Sequence, residues 1–370
     1  MTLGIIILTI VTLLVLLLPA WPAFAEWRTG IDKHPLTISD TYADDHHVVA
    51  RAFGKEVAEH LQTAVQSFLA SGGQPGLGRV VLKEHYEVIG PHDDTTPDFE
   101  NGVLPLVLVR NTLTQWPADR PLTRQTYVSG AFESQSSARI DRLFVDGEVR
   151  LGEETVTESW LHAERHIRAL AGCQLNGSVE AGGFMQIWPA CHFERLAATE
   201  IRFGDEWHWP EAHVPSRHTR HELPPLFRLN GRASRQGNVH QVDGNLTIPA
   251  GHVWTGDLIV RGKLRLAREA RVEGSIKAEG DILFDRGSSV IGHAFSSSSI
   301  EVREGACIQG TVAAEDTLRV RWGAEIGTHE APATATGTHV LMEQGSRVFG
   351  VVMAVESGRV ALRTVARIAA

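Results

Sequence analysis

The chain has 370 residues, enough for one large domain and a smaller one, with 35 basic and 44 acidic side chains and a formal charge of −9. The two signs are interspersed and form no basic stripe, which leaves no electrostatic footprint for nucleic acid, so no nucleic-acid partner is expected. Three cysteines, Cys173, Cys191 and Cys307, are too few and too scattered for the disulfide framework of a small secreted domain.

Residues 3–25 carry no charge, and Leu3 to Leu18 is almost wholly Leu, Ile and Val. At ~1.5 Å per residue the segment reaches about 34 Å, enough to cross a hydrocarbon core, and it predicts a transmembrane anchor. The first basic residues, Arg28 and Lys33, follow it, which places the body of a single-pass protein in the cytoplasm. A second reading stays open. Pro19, Pro22 and Ala23-Phe24-Ala25 look like the end of a signal peptide, with export after cleavage near Ala25, although no Lys or Arg precedes the apolar run.

Residues 26–43 read as a juxtamembrane linker. Val49, Phe53, Val57, Leu61, Ala64, Val65 and Phe68 then recur at three- and four-residue steps, with Asp44 or Asp45 to cap the start and Gly72-Gly73 to stop the run. They predict an amphipathic helix of about six or seven turns. Its polar face carries Glu56, Glu59 and His60 beside Lys55, which suits packing on its own domain better than anionic lipid. The glycine-rich run from Gly72 to Gly78 lacks the Lys-Ser/Thr ending of a phosphate loop and reads as a hinge. Arg79 to Ile89 and Val103 to Arg110 predict two strands, so residues 26–125 are expected to form the linker and a small α+β unit.

From residue 126 the chain repeats every 18 residues. The first apolar column reads Leu246, Leu264, Ile282, Ile300, Leu318, and two residues on come Ile248, Leu266, Phe284, Val302, Val320. The ninth position gives Trp254, Val272, Val290, Ile308, Ile326, the eleventh Gly256, Gly274, Gly292, Gly310, and the thirteenth Leu258, Ile276, Ala294, Val312. Gly251, Glu269, Gly287, Gly305 and Gly323 hold the sixth position. After an interruption at 328–338 the pattern returns as Val340, Met342, Gly345, Val348, Gly350, Val352 and Ala354. Upstream, Val149, Ile167 and Met185 head similar turns, with Leu161, Val179 and Ala197 in a further column, but out of phase with the later block.

Apolar residues two apart, in three clusters per turn, are short strands joined by corners, and the corner glycines are expected to supply backbone angles that other residues resist. The predicted fold is mainly β: a single-stranded β-helix over residues 126–370 with nine recognisable turns. A Pro- and His-containing insertion at 204–240 should project from it as a long loop, with the helix resuming on the far side.

The turn Leu-x-Ile/Leu-x-x-Gly-x-x-Val-x-Gly-x-Leu/Ile-x-Val/Ala resembles the bactofilin, or polymer-forming cytoskeletal, family, well over about residues 240–360 and loosely over 126–203. Glu26-Trp27-Arg28, directly after the apolar segment, also looks like members with a membrane span ahead of the β-helix. The resemblance implies a bacterial, cytoplasmic, membrane-associated polymer that needs no nucleotide and localises other envelope proteins. The α+β unit and the insertion are departures from compact members and bear on filament formation. Self-association is expected through coil ends, and the protein client is not named by the sequence.

Three chemistries were weighed against this scaffold. Hexapeptide acyltransferases, or another envelope enzyme on a β-helix, also use 18-residue turns, and His293 in Val290-Ile291-Gly292-His293-Ala294 would be the base. Its equivalents Asp257, Ser275 and Thr311 mark it instead as an outward position. His208, His213, His218, His221 and His240 lie near Trp207 and Trp209, yet no cysteine or tight carboxylate cluster supports a metal, and His162 and His166 read the same way. Cys173 and Cys191 are one period apart, a separation a disulfide could span, and are read as small core fillers. The chain is therefore expected not to be an enzyme, with no catalytic, cofactor or metal residue assigned.

Overall fold

A triplet such as Leu264-Arg265-Leu266 sends two side chains inward and one outward, and three residues are too few to hold a strand alone. Its main-chain groups are satisfied only by coils above and below: Leu264 donates to the Asp281 carbonyl at 2.9 Å and Ile282 to that of Ser299 at 2.9 Å. Stacking is therefore obligatory, and the computed structural model is a β-solenoid of about 13 turns. It describes residues 50–59, 80–82, 86–89, 104–109, 113–204, 221–222 and 233–363, all within the unit His46–Ala370.

The second stack, residues 239–361, follows the 18-residue columns. Leu246, Leu264, Ile282, Ile300, Leu318 and Val340 are in parallel register on its first side. Trp254, Val272, Val290, Ile308, Ile326 and Val348 do the same on the second side. All twelve are at most 9 % exposed. The third side carries Leu258, Ile276, Ala294, Val312, Ala335 and Val352. Each buried aliphatic side chain contributes roughly 1.5–3 kcal/mol.

The first stack, residues 86–203, starts earlier than the sequence suggests. Tyr86–Ile89, Leu106–Val109 and Thr126–Ser129 pair in parallel, in register with Leu143, Leu161, Val179 and Leu196. The expected boundary at 125/126 is thus not a boundary: those strands are coils of the solenoid, hidden because the first two steps, Glu87 to Leu106 and Leu106 to Thr126, are longer than 18 residues. The single strand expected over 79–89 is two, Val80–Leu82 and Tyr86–Ile89, paired antiparallel. Ala197 pairs with Glu180, so the inward residue of that coil is Leu196, the coil being one residue short. A buried ion pair, Arg124 to Glu87 at 2.8 Å, begins the inward column that continues through Leu106 and Thr126.

Residues 50–59 are helical and lie on the outside of the first stack, where Phe53 and Val57 cluster with Tyr86, Val107, Tyr127 and Phe144. Tyr86 donates to Glu56 at 2.8 Å. The outward positions of these coils are aromatic because a helix covers them. The rest of the expected helix, and residues 3–25 with the expected membrane span, lie outside the described residues. Among the described residues no helix is long and apolar enough to cross a membrane.

Part of the insertion belongs to the solenoid rather than projecting from it. Val239–Val242 pairs in parallel with Asp257–Val260 and antiparallel with Ala233–Gln236, and His221–Glu222 lies along His252–Val253. The Thr- and Ala-rich interruption is also shorter than expected, since residues from Ala333 onward lie on the last coil.

The two stacks do not continue one another. His192–Phe203, the last coil of the first, lies antiparallel on Arg347–Ala361, the last coil of the second, with Phe193 opposite Gly358, Leu196 opposite Val352 and Ile201 opposite Val348. Both stacks therefore advance toward this seam. Coils of one hand that advance toward each other turn in opposite senses about their common axis, so their strands meet antiparallel. The seam requires the two stacks to share a hand.

Candidate functional site

The positions singled out in the sequence are brought together as a dry core and a set of corners. Gly292 shows why the eleventh column is glycine. A Cβ there would lie 2.5 Å from the Gly274 carbonyl oxygen, and on Gly310 2.7 Å from that of Gly292, so the requirement is close approach of stacked backbone. The expectation that backbone angle governs the whole column is corrected: of Gly256, Gly274, Gly292, Gly310 and Gly350, the first, second and fifth have positive φ, while Gly292 and Gly310 do not. The left-handed corner is the sixth column, from Gly251 at 70° through Glu269 at 58° to Gly323 at 70°. The first stack builds the same corner with Ser137, Glu154, Gly172 and Ala190, whose mixed side chains hid it from the sequence pattern.

After Gly251, which is followed by His252, the residue next to this corner is small and buried: Ala270, Ser288, Ala306, Ala324 and Ser346 in one stack, Ala138, Thr155, Cys173 and Cys191 in the other. Thr155 donates to the Gly152 carbonyl at 2.8 Å, Cys173 to the same carbonyl at 3.2 Å and Cys191 to that of Leu170 at 3.0 Å. The two cysteines are one coil apart, His192 donating to the Cys173 carbonyl at 2.9 Å, and both are free thiols. Contact with Cys191 and burial push the Cys173 thiol up, whereas contact with Cys173, acting against burial, holds that of Cys191 down.

Two rows of outward polar side chains are committed to the coils themselves. Asp257 accepts the Ser275 N–H at 2.8 Å, Ser275 that of His293 at 3.3 Å, and His293 Nδ1 that of Thr311 at 3.0 Å. With Nδ1 accepting, the neutral His293 ring carries its proton on Nε2 and is a rung of this ladder. Near the first side, Asp285 holds Arg265 at 2.6 Å and Arg303 at 2.8 Å, and Arg321 bridges Glu301 at 2.9 Å and Glu343 at 2.5 Å.

Of the histidines weighed in the first stack, His166 Nδ1 accepts the Phe184 N–H at 3.1 Å while the two rings stack at 4.1 Å. His162 is buried against Phe144, its ring centroid 4.9 Å away, with Glu164 at 3.5 Å and Glu180 at 3.6 Å. His208, His213 and His218 lie outside the described residues, and among those described no group of ligating side chains is arranged to hold a metal ion.

The seam adds groups that no sequence spacing marks. Glu200 binds Arg202 at 2.8 Å on its own stack and Arg347 at 3.3 Å on the other, and Arg347 also pairs with Glu325. Arg202 lies 5.4 Å from the Phe184 ring and Arg347 5.3 Å from that of Phe349. Burial raises the Glu200 carboxyl, but Arg202 and Arg347 outweigh it and hold the group below the ordinary glutamate value.

These features define a β-solenoid protein in two opposed stacks. The chain matches no family model, no curated protein and no solved structure.

Proposed function

We propose that the chain is a membrane-tethered β-helical scaffold of the bactofilin kind, which organises envelope-associated partners through its surfaces rather than by catalysis. One observation carries the reading: the outward polar ladders, Asp257 to His293 and Asp285 to Glu343, are spent on bonds between coils, which makes the sides stiff and regularly spaced at about 4.8 Å. A stiff, repetitive side suits docking at many equivalent points. Residues 3–25 supply the tether, and the outer coil ends are the route to self-association.

Cell fractionation and negative-stain microscopy, each with and without residues 1–25, test the two halves of this reading. The full chain should sediment with membranes and the shortened chain should not. Assemblies should persist in the shortened chain at high concentration, whereas a strictly monomeric body counts against polymer formation. Digestion of the body by protease added outside spheroplasts would overturn the cytoplasmic placement.

A further inference from the structure

We propose that the seam is exchangeable between copies: the first stack of one chain docks on the second stack of another, so the partner for this surface is a second copy of this chain.

Within either stack, each coil is followed directly in the chain by the coil it rests on. The seam differs, since Glu200 and Arg347 touch across it while standing 147 positions apart. Its strength is that of an ordinary coil contact, with laddered backbone, inward Leu196 against Val352 and Ile201 against Val348, but without a short covalent tether.

The two edges are alike. Val149–Leu151 precedes the left-handed corner at Glu154 as Leu264–Leu266 precedes that at Glu269, so the three sides of one stack have named counterparts in the other. At the seam the third sides lie on each other, at Leu196 and Val352. The first side of one stack meets the second side of the other, at Ile201 with Val348 and at Phe193 with Gly358. That is the arrangement a twofold axis through the third sides demands, and such a surface is complementary to a second copy of itself.

The connection is long enough for either arrangement. Positions 205–220 separate Gly204 at the seam from His221, which is laid on the first coil of the second stack, and at ~3.3–3.6 Å per residue a chain of that length spans at most about 55 Å. The five coil steps from Trp254 to Val348 occupy about 24 Å. The closed monomer and the exchanged dimer contain the same seam contacts, so protein concentration and the reach of the connection decide between them. The exchange needs only the seam and holds whatever the assembled chain serves.

The test uses the full chain with reversed charges. Glu200→Arg alone and Arg347→Glu alone each put like charges across the closed seam. When the two variants are refolded together, opposite charges meet only if the first stack of the Glu200→Arg chain docks on the second stack of the Arg347→Glu chain. Light scattering should show a two-fold rise in mass for the mixture, with both variants in one species, and the single chain carrying both changes should return to monomer. A mixture that stays as two monomers overturns the proposal. Should either variant fail to fold, wild-type chains with two different tags are unfolded, mixed and refolded over rising concentration. Joint recovery of both tags in a dimer after refolding together, but not after mixing the folded chains, supports exchange, and an equal yield of mixed tags without unfolding, or monomer at every concentration, refutes it.

Discussion

Glu200 and Arg347, 147 positions apart in the chain, meet at 3.3 Å across the plane where two solenoid stacks face each other. Their contact places an ion pair at an inter-coil junction that local chain connectivity does not enforce. With Arg202 and Glu325 it forms a short row of alternating charge, partly shielded from solvent.

This row makes the seam sensitive to acid. The folded Glu200 carboxyl lies below its ordinary value of 4.5, so the unfolded chain binds more protons in the window beneath that value. The stabilisation is present in full above about pH 5 and is lost as pH falls through the folded value. Glu200→Gln should lower stability by about 1–2 kcal/mol near neutral pH and flatten the acid limb. Denaturation midpoints of both proteins across the acid range check this, and parallel curves would remove Glu200 from the account.

The two kinds of corner glycine should respond differently. Gly292→Ala forces a Cβ onto the Gly274 carbonyl and is expected to cost about 3 kcal/mol, the upper end of tight-core overpacking. Gly305, at φ 67° with open space around a built Cβ, should lose only about 1–2 kcal/mol on change to Ala. The reverse change at the same corner, Glu269→Gly, relieves a non-glycine residue at φ 58° and should stabilise the fold by roughly 0.5–1 kcal/mol. Urea denaturation of the three variants ranks them.

His293→Leu removes the acceptor for the Thr311 N–H and should cost about 1–2 kcal/mol. His293→Asn keeps an acceptor and should recover part of that loss. If His293 were instead a catalytic base and structurally idle, both variants would melt with the wild type.

Cys173→Ser should be tolerated within about 1 kcal/mol, because Thr155 in the same column and Ser346 in its counterpart in the second stack already carry hydroxyls that donate to a carbonyl three residues back. In the folded chain, burial and then Glu325 push the Cys307 thiol up to about 11, so its labelling at neutral pH should be slow. Alkylation followed by mass spectrometry, with and without denaturant, measures both. Rapid labelling of native Cys307 would contradict the raised thiol.

The inward ladder was legible in the second stack because its period is regular: Leu264, Val272 and Ile276 recur wherever a coil must fill the same hollow. Legibility fell off where coil length changed. The steps leading to Thr126 are longer than 18 residues and the coil ending at Leu196 is one residue short, so a fixed template assigns the early strands to a separate unit and puts Ala197 in the column of Leu196. The left-handed corner was missed in the first stack because Ser137, Glu154 and Ala190 do not announce positive φ as glycine does.

What the sequence determines by itself is the coil, since an 18-residue recurrence of apolar pairs can bury its side chains only against another turn of the same kind. What the tertiary structure decides is how the stacks meet. Backbone pairing between Leu196 and Val352 leaves no periodic trace, because hydrogen bonds across the seam use main-chain groups common to every residue, and the direction of approach follows from the shared hand of two stacks wound toward each other.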